Sequence, residues 1–357
     1  MDTSRQLTPT IQEIFKFAIE HGASDVHIKV DVPPVVRIDG KLRSVPDKPI
    51  YTTEQAKADT LSTLNPHQQQ LIETQRELDF SFYVDTTRIR ANVYFEKDNL
   101  VGAFRLIPDK LSTIQELGLP PMIEDITKYR QGLFIVAGPT GHGKSTTLAA
   151  MVNLINQTRS ENIITIEDPV EYIFKNAKSI ISQREVGSDT DSFEHALRSS
   201  LRQDPDVILV GEMRDLETVQ ATITLAETGH LVLTTLHTNN AAQTADRMID
   251  VFPPHQQAQI RSQLANILLG IVSQRLLPKI SGGRVAAAEI LVANTAVRNT
   301  IREGKTHQLN NIIQTSSSEG MISLDDSLAA LVTRGEVSLD DALTWAIDPK
   351  HLKLKLY

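Results

Sequence analysis

The chain has 357 residues, 40% hydrophobic and 22% charged, the composition of a globular protein long enough to bury two cores. A net charge of −8 argues against a duplex-binding nucleic-acid surface. The absence of cysteine excludes disulfides and thiolate metal sites and fits a reducing cytoplasm.

No apolar run approaches the ~20 residues that span a bilayer. Met1-Asp2-Thr3-Ser4-Arg5-Gln6 lacks the basic and then apolar order of a secretory signal. Ile11, Ile14, Phe15, Ala18 and Ile19 recur at helical spacing, and Gly22 is placed to stop that helix. Val26 to Val30 and Val36-Arg37-Ile38 alternate as strands, with Asp39-Gly40 turning into Lys41-Leu42. Ser24, Asp25 and His27 do not read as a catalytic set, because adjacent strand residues point to opposite faces.

A helical region is expected over residues 53–78, then a β-meander. Phe80, Phe82 and Val84 share one face of its first strand. Ile89, Ala91, Val93 and Phe95 share a face of the second, with Arg88, Arg90 and Asn92 opposite. Lys97-Asp98-Asn99 turns into a last strand over 101–107, and Pro108-Asp109-Lys110 closes a first domain, 1–110. Arg90 and Arg105 admit two readings. They are paired or solvated strand arginines, or they neutralise phosphate charge on a neighbouring subunit as arginine fingers do.

Residues 111–129 read as a polar, proline-containing connection, with the linker itself at 111–120 and a second core over 121–285. An apolar run, Leu133 to Ala137, enters Gly138-Pro139-Thr140-Gly141-His142-Gly143-Lys144-Ser145-Thr146, and a helical segment leaves it. Strand, glycine loop and helix are the context in which G-x-x-x-x-G-K-[ST] binds phosphate rather than forming an ordinary turn. Backbone N–H groups and the helix N-terminus cradle the phosphates, Lys144 reaches the β- and γ-phosphates, and Ser145 ligates Mg²⁺. The chain is therefore expected to bind ATP with Mg²⁺.

Further buried strands are expected at Ile163 to Ile166, Val207 to Val210 and Leu231 to Thr235. Helical patterns separate them, notably Leu216 to Thr228 and an amphipathic face of Ile260, Leu264, Ile267, Leu268, Ile271 and Val272. Alternation of this kind gives an α/β fold with a parallel, doubly wound sheet that binds ligands at its strand C-termini. Glu167 ends one strand and Gly211-Glu212 another. Gly211 stands where a metal-binding Asp is usual, so Glu212 is the candidate for the metal role beside Ser145 and Glu167 the candidate to activate water, with the reverse assignment of the two acids left open. His230 and His237 flank the fourth strand and could sense the γ-phosphate or serve the structure. Beyond residue 285 the chain reads as short helices, with Ser323 and Ser338 as caps and Trp345 in the core.

Several stretches together resemble the secretion-ATPase superfamily, and within it the ATPases that retract type IV pili. They are residues 22–27, Gly138 to Thr146, Ile164 to Tyr172, Ala196 to Asp206, Val210 to Thr218 and Ala226 to Thr238. The resemblance covers nearly the whole chain. It implies a PAS-like α+β first domain, a RecA-like P-loop ATPase domain with a carboxy-terminal helical region over 286–357, and a homohexamer. It also implies Arg90 and Arg105 acting across the subunit boundary and functional roles for His230 and His237.

Extension and secretion relatives commonly carry an additional amino-terminal domain and a tetracysteine zinc motif, which these residues lack. Ala296-Val297-Arg298-Asn299-Thr300 partly matches a motif of the retraction ATPases, and His142 replaces a common Ser at a variable loop position. The resemblance thus implies a cytoplasmic motor for pilus retraction and twitching motility. Its partners would be pilus machinery and a platform protein at the inner membrane, with no nucleic acid. Pilus assembly or type II secretion is the alternative of like chemistry. A ring-shaped nucleic-acid translocase and a nucleotide-binding regulatory module without turnover are the alternatives of other classes.

Overall fold

Helix α1 (Pro9–Glu20) begins where Thr8 accepts the Ile11 N–H and Pro9 fixes the first turn. In the computed structural model, which describes residues 5–38, 40–107 and 111–356, the chain divides into two units, Met1–Lys110 and Leu111–Tyr357. Met1 to Ser4, Asp39 of the expected Asp39-Gly40 turn and Pro108-Asp109-Lys110 lie outside the described residues.

In the first unit α1 is followed by β1 (Asp25–Ile28), β2 (Val35–Ile38), β3 (Lys41–Ser44), α2 (Thr53–Ser62), α3 (Pro66–Gln75), β4 (Glu77–Val84), β5 (Thr87–Glu96) and β6 (Asn99–Leu106). The strands form one antiparallel sheet in the order β3-β2-β1-β6-β5-β4. The apolar face of α1 is buried with it, and Phe15 meets Phe82 and Phe104 edge-on at 5.8 and 5.2 Å. The single helical region expected over 53–78 is two helices and the start of a strand. Asn65 caps α3 by accepting the Gln68 N–H, Pro66 opens it, and Arg76 leaves it at a φ of 66°.

The second unit runs α4 (Met122–Ile126), β7 (Gly132–Ala137), α5 (Lys144–Thr158), β8 (Asn162–Glu167), β9 (Ile180–Glu185), α6 (Phe193–Ser200), β10 (Val207–Val210), α7 (Leu216–Glu227) and β11 (Leu231–Leu236). It continues with α8 (Ala241–Asp250), α9 (Pro254–Ile267), β12 (Leu268–Pro278), β13 (Arg284–Val292), α10 (Thr295–Arg302), α11 (Leu309–Thr315), α12 (Leu324–Thr333), α13 (Leu339–Trp345) and α14 (Pro349–Leu356). The sheet order is β13-β12-β7-β11-β10-β8-β9, parallel throughout except for the β12–β13 pair. Every residue of β7, β10 and β11 is buried, as strands covered on both faces require. Among the described residues no helix is long and apolar enough to cross a membrane.

Two expectations are corrected. The apolar face of Ile260 to Val272 is helical only to Ile267; Ile271 and Val272 belong to β12, where they pair with Ile135 and Val136 of β7. The segment beyond 285 opens in strand β13 and turns helical only at Thr295. Trp345, at the end of α13, is half-buried against the core cluster of Leu277, Leu328 and Ala342, with its ring also edge-on to His142 at 4.9 Å.

Candidate active site

Strand β7 delivers the glycine loop to the sheet edge, and α5 starts at Lys144. The loop is pressed against β12, whose register with β7 matches Ser273 to Ala137 and carries Gln274 to Leu276 past the end of β7. A Cβ on Gly138, at a φ of 143°, would lie 2.5 Å from the Gln274 carbonyl oxygen. A Cβ on Gly143, at a φ of 81°, would lie 2.9 Å from Gln274 Nε2. Backbone conformation and close approach together demand glycine at both positions.

Gln274 Nε2 donates to the His142 carbonyl at 2.9 Å, and its Oε1 accepts from the Thr147 hydroxyl at 2.8 Å. The His142 ring accepts the Leu276 N–H at Nδ1, 2.9 Å away. Thr146 and Tyr172 share a hydroxyl–hydroxyl hydrogen bond of 2.8 Å. Lys144, 7% exposed, donates from Nζ to the carbonyls of Gly138 and Pro139 at 2.9 and 3.0 Å. Burial holds its amine below the ordinary value against the pull of Glu171 and Glu212.

The polar contacts continue outward from the lysine. His237, just past β11, sets Nδ1 3.2 Å from the Thr140 hydroxyl and 3.5 Å from Lys144 Nζ. Its Nε2 is 3.5 Å from Glu212 Oε2, and Glu212 also pairs with Arg214. Burial and the charge of Lys144 keep the imidazole below its ordinary pKa, which favours the neutral ring. A cleft lined by Glu212, Arg214, His237 and Arg247 opens beside it.

Glu167 ends β8, the neighbour of β10 in the sheet, and is 8% exposed. Burial pushes its pKa up to about 7, although the Thr165 hydroxyl donates to Oε1 at 2.7 Å and Gln183 Nε2 lies at 3.4 Å. Gly211 explains why no carboxylate stands at the end of β10. Its N–H donates to the Ile166 carbonyl at 2.8 Å, and a Cβ there would sit 3.2 Å from Glu167 Cα. The acid is displaced by one residue, to Glu212.

The sheet edge thus brings together the glycine loop, Lys144, Ser145, Glu212 and His237, with Glu167 on the next strand end. It does not include His230. That residue precedes β11, at the opposite end of a six-residue strand, ~20 Å away at the usual rise. Its Nδ1 lies 2.8 Å from the Leu225 carbonyl and 3.1 Å from the Thr228 hydroxyl, so it braces the turn from α7 into β11. Arg90 and Arg105 belong to the first unit, directly opposite each other on β5 and β6. Arg105, with a 64% exposed side chain, donates from Nε to Asp25 Oδ1 at 3.0 Å.

Gln274, Arg275 and Leu276 were invisible while residues 260–272 read as one helix. Arg275, 4% exposed, donates to Asn239 O at 2.7 Å, and the Ser273 hydroxyl reaches the same oxygen at 2.9 Å, so β12 also holds the loop behind His237. The signal that could have revealed them is Ser273-Gln274-Arg275, a polar interruption in an apolar stretch.

For a metal, the protein's donors here are the Ser145 hydroxyl and the Glu212 carboxylate, both hard oxygens. Among the described residues no group of three or more His, Cys, Asp or Glu could hold an ion unaided. That set fits Mg²⁺, which keeps waters and phosphate oxygens in its shell, and not a structural zinc.

Residues 2–343 match the family model described as type II/IV secretion system protein. The chain is 45% identical, over 96% of its length and 99% of the relative's, to the type IV pilus retraction ATPase PilT of Pseudomonas aeruginosa. It is 45% identical to a twitching motility protein of Neisseria gonorrhoeae, over 87% of this chain and 83% of that one. Among solved structures, the pilus retraction motor PilT with bound ADP superposes with a TM-score of 0.90 at 48% identity, covering 96% of this chain and 99% of the other.

Proposed function

The chain belongs to the type II/IV secretion system protein family, and on that premise we propose that it is a motor ATPase that uses ATP hydrolysis to withdraw a type IV pilus. One observation carries the chemistry: polar contacts join Lys144 in the glycine loop to His237 and on to Glu212, at the sheet edge where Glu167 also ends its strand. In this reading Lys144 exchanges the carbonyls of Gly138 and Pro139 for the β- and γ-phosphates. The loop's N–H groups and the start of α5 receive phosphate oxygens. Ser145 and Glu212 are the protein's donors to Mg²⁺, which when bound neutralises charge building between the phosphates. Glu167 takes the proton of the attacking water, and its raised pKa makes it a fit acceptor. His237 couples the loop to Glu212.

The object of the motor rests on likeness to the pilus retraction ATPase along almost the full length of both chains. The same reading carries a homohexamer, with residues 1–110 as a PAS-like domain, 111–120 as linker, 121–285 as the RecA-like core and 286–357 as its carboxy-terminal region. It works at the cytoplasmic face of the inner membrane through pilus machinery, and Arg90 and Arg105 complete a neighbour's site.

The test pairs an assay with imaging. Lys144→Ala should lower phosphate release by roughly 10²–10³, and wild-type turnover in that variant overturns the site. Cells lacking the gene should bear pili that extend and never withdraw. Bald cells would instead make the protein an assembly motor.

A further inference from the structure

Among the loop residues, His142 has a side chain that reaches away from the other site residues towards β12 and α13. Its Nδ1 accepts the Leu276 N–H at 2.9 Å, its carbonyl accepts from Gln274, and its ring abuts Trp345 at 76°. An imidazole nitrogen accepts a hydrogen bond only while it carries no proton. The charged groups acting on the ring are all cations: Arg275 from β12, Lys144 from its own loop and Arg284 from β13. Trp345 contributes no charge from α13, whose acids are Asp340 and Asp341 in its first turn, the latter accepting the Ser338 hydroxyl.

We propose that His142 is a positioning residue that latches the phosphate loop to β12 through its neutral ring, and that protonating it loosens the loop's hold on nucleotide. The proposal rests on the nucleotide-binding reading above. Two effects of protonation oppose each other. The imidazolium loses its bond from Leu276 N–H and faces a second donor at close range. It also adds a positive charge to a loop that holds phosphates, which by itself would tighten binding. The ring points at a backbone donor and an indole among three cations, so the lost bond outweighs the gained charge. Burial and those cations already hold the ring below its ordinary pKa, which keeps the latch closed at neutral pH.

The measurement is ADP affinity of the full chain with Mg²⁺ from pH 8 to 5.5, in the wild type, His142→Asn and His142→Ala. Asparagine can set an oxygen where Nδ1 stands and does not titrate; alanine offers no acceptor at any pH. The ratio of wild-type to His142→Asn dissociation constants cancels the nucleotide's own titration. It should rise about fivefold on acidification, the size of one lost hydrogen bond, while the Ala-to-Asn ratio stays flat and high. Fluorescence of Trp345, the sole tryptophan, should show an acid transition in the nucleotide-free wild type that His142→Asn lacks, a readout independent of binding and of the alanine variant. A flat wild-type-to-Asn ratio overturns the latch, and a falling one shows that the imidazolium attracts phosphate instead. Absence of ADP binding in all three proteins at every pH overturns the nucleotide site itself, and the latch with it.

Discussion

Glu167 is the residue whose environment most sharply fixes its chemistry. A carboxyl 8% exposed with a pKa near 7 is a stronger base than an exposed glutamate and is still half ionised at neutrality. Turnover should therefore rise with pH through about 7 and plateau above it. Glu167→Gln should lower kcat by roughly 10²–10⁴ with ATP affinity nearly kept, if Glu212 is the acid at the metal as proposed. Equal losses of affinity and turnover would move Glu167 onto the metal. Stability gives a second, independent readout. The folded pKa lies above the unfolded value of 4.5, so ionisation opposes folding from about pH 4.5 upward. The opposition reaches about 3 kcal/mol once pH exceeds 7. Glu167→Gln should accordingly melt higher than wild type at pH 8, with the difference gone below pH 4.5. A melting difference that does not change with pH would mean the carboxyl is not buried as described.

The elements differ in how far local signals specify them. Strand, glycine loop and helix follow one another over residues 132–158, each with its own signal, so the phosphate loop was legible. Glu167 and Glu212 were legible for the same reason, since each follows an apolar run long enough to be a buried strand. His230 and His237 both flank β11, yet only the residue after a parallel strand reaches the ligand edge, and that residue is His237. Strand β12 was not legible. Leu268 to Val272 is a short apolar run that directly continues an amphipathic helix, and long-range pairing with Leu133 to Val136 of β7 and with β13 makes it a strand. Losing β12 also lost the reason for Gly138 and Gly143, which is the nearness of Gln274 and not phosphate alone. Gly138→Ala forces a methyl against the Gln274 carbonyl at a φ that only glycine adopts freely, costing about 1–3 kcal/mol of strain. Its melting temperature and ATP affinity should both fall. Gln274→Ala in the same background should leave that loss in place, because the clashing atom is backbone. Recovery in the double variant would mean that side-chain crowding was responsible.

At the scale of the whole molecule, the two units raise the question of where positive charge for the transition state comes from. In the proposed chemistry Lys144 supplies the second unit's share, because burial and the charge of Lys144 hold the His237 ring below its ordinary pKa and so disfavour its cationic form. The first unit sets Arg90 and Arg105 opposite each other on a sheet, a local concentration of charge; among the described residues Asp25 pairs with Arg105 and, at 3.7 Å, also with Arg37. Like charges directly opposite on a sheet are destabilising, so the pair is better explained by an anion that meets it than by folding. If that anion is a neighbour's γ-phosphate, a head-to-tail ring gives each arginine pair one site that is not its own. Arg105→Ala and Lys144→Ala homo-rings should each turn over slowly, by about 10³-fold or more for a lost finger. Rings mixed from the two variants contain interfaces with intact arginine on one side and intact loop on the other, and those should hydrolyse ATP above either parent. Arg105 is largely exposed and its partner Asp25 remains near Arg37, so the variant's fold and ring assembly, read by melting and light scattering, should hold. Mixed rings that assemble yet recover nothing would return Arg105 to the role of Asp25's partner and leave the transition-state charge to the second unit alone.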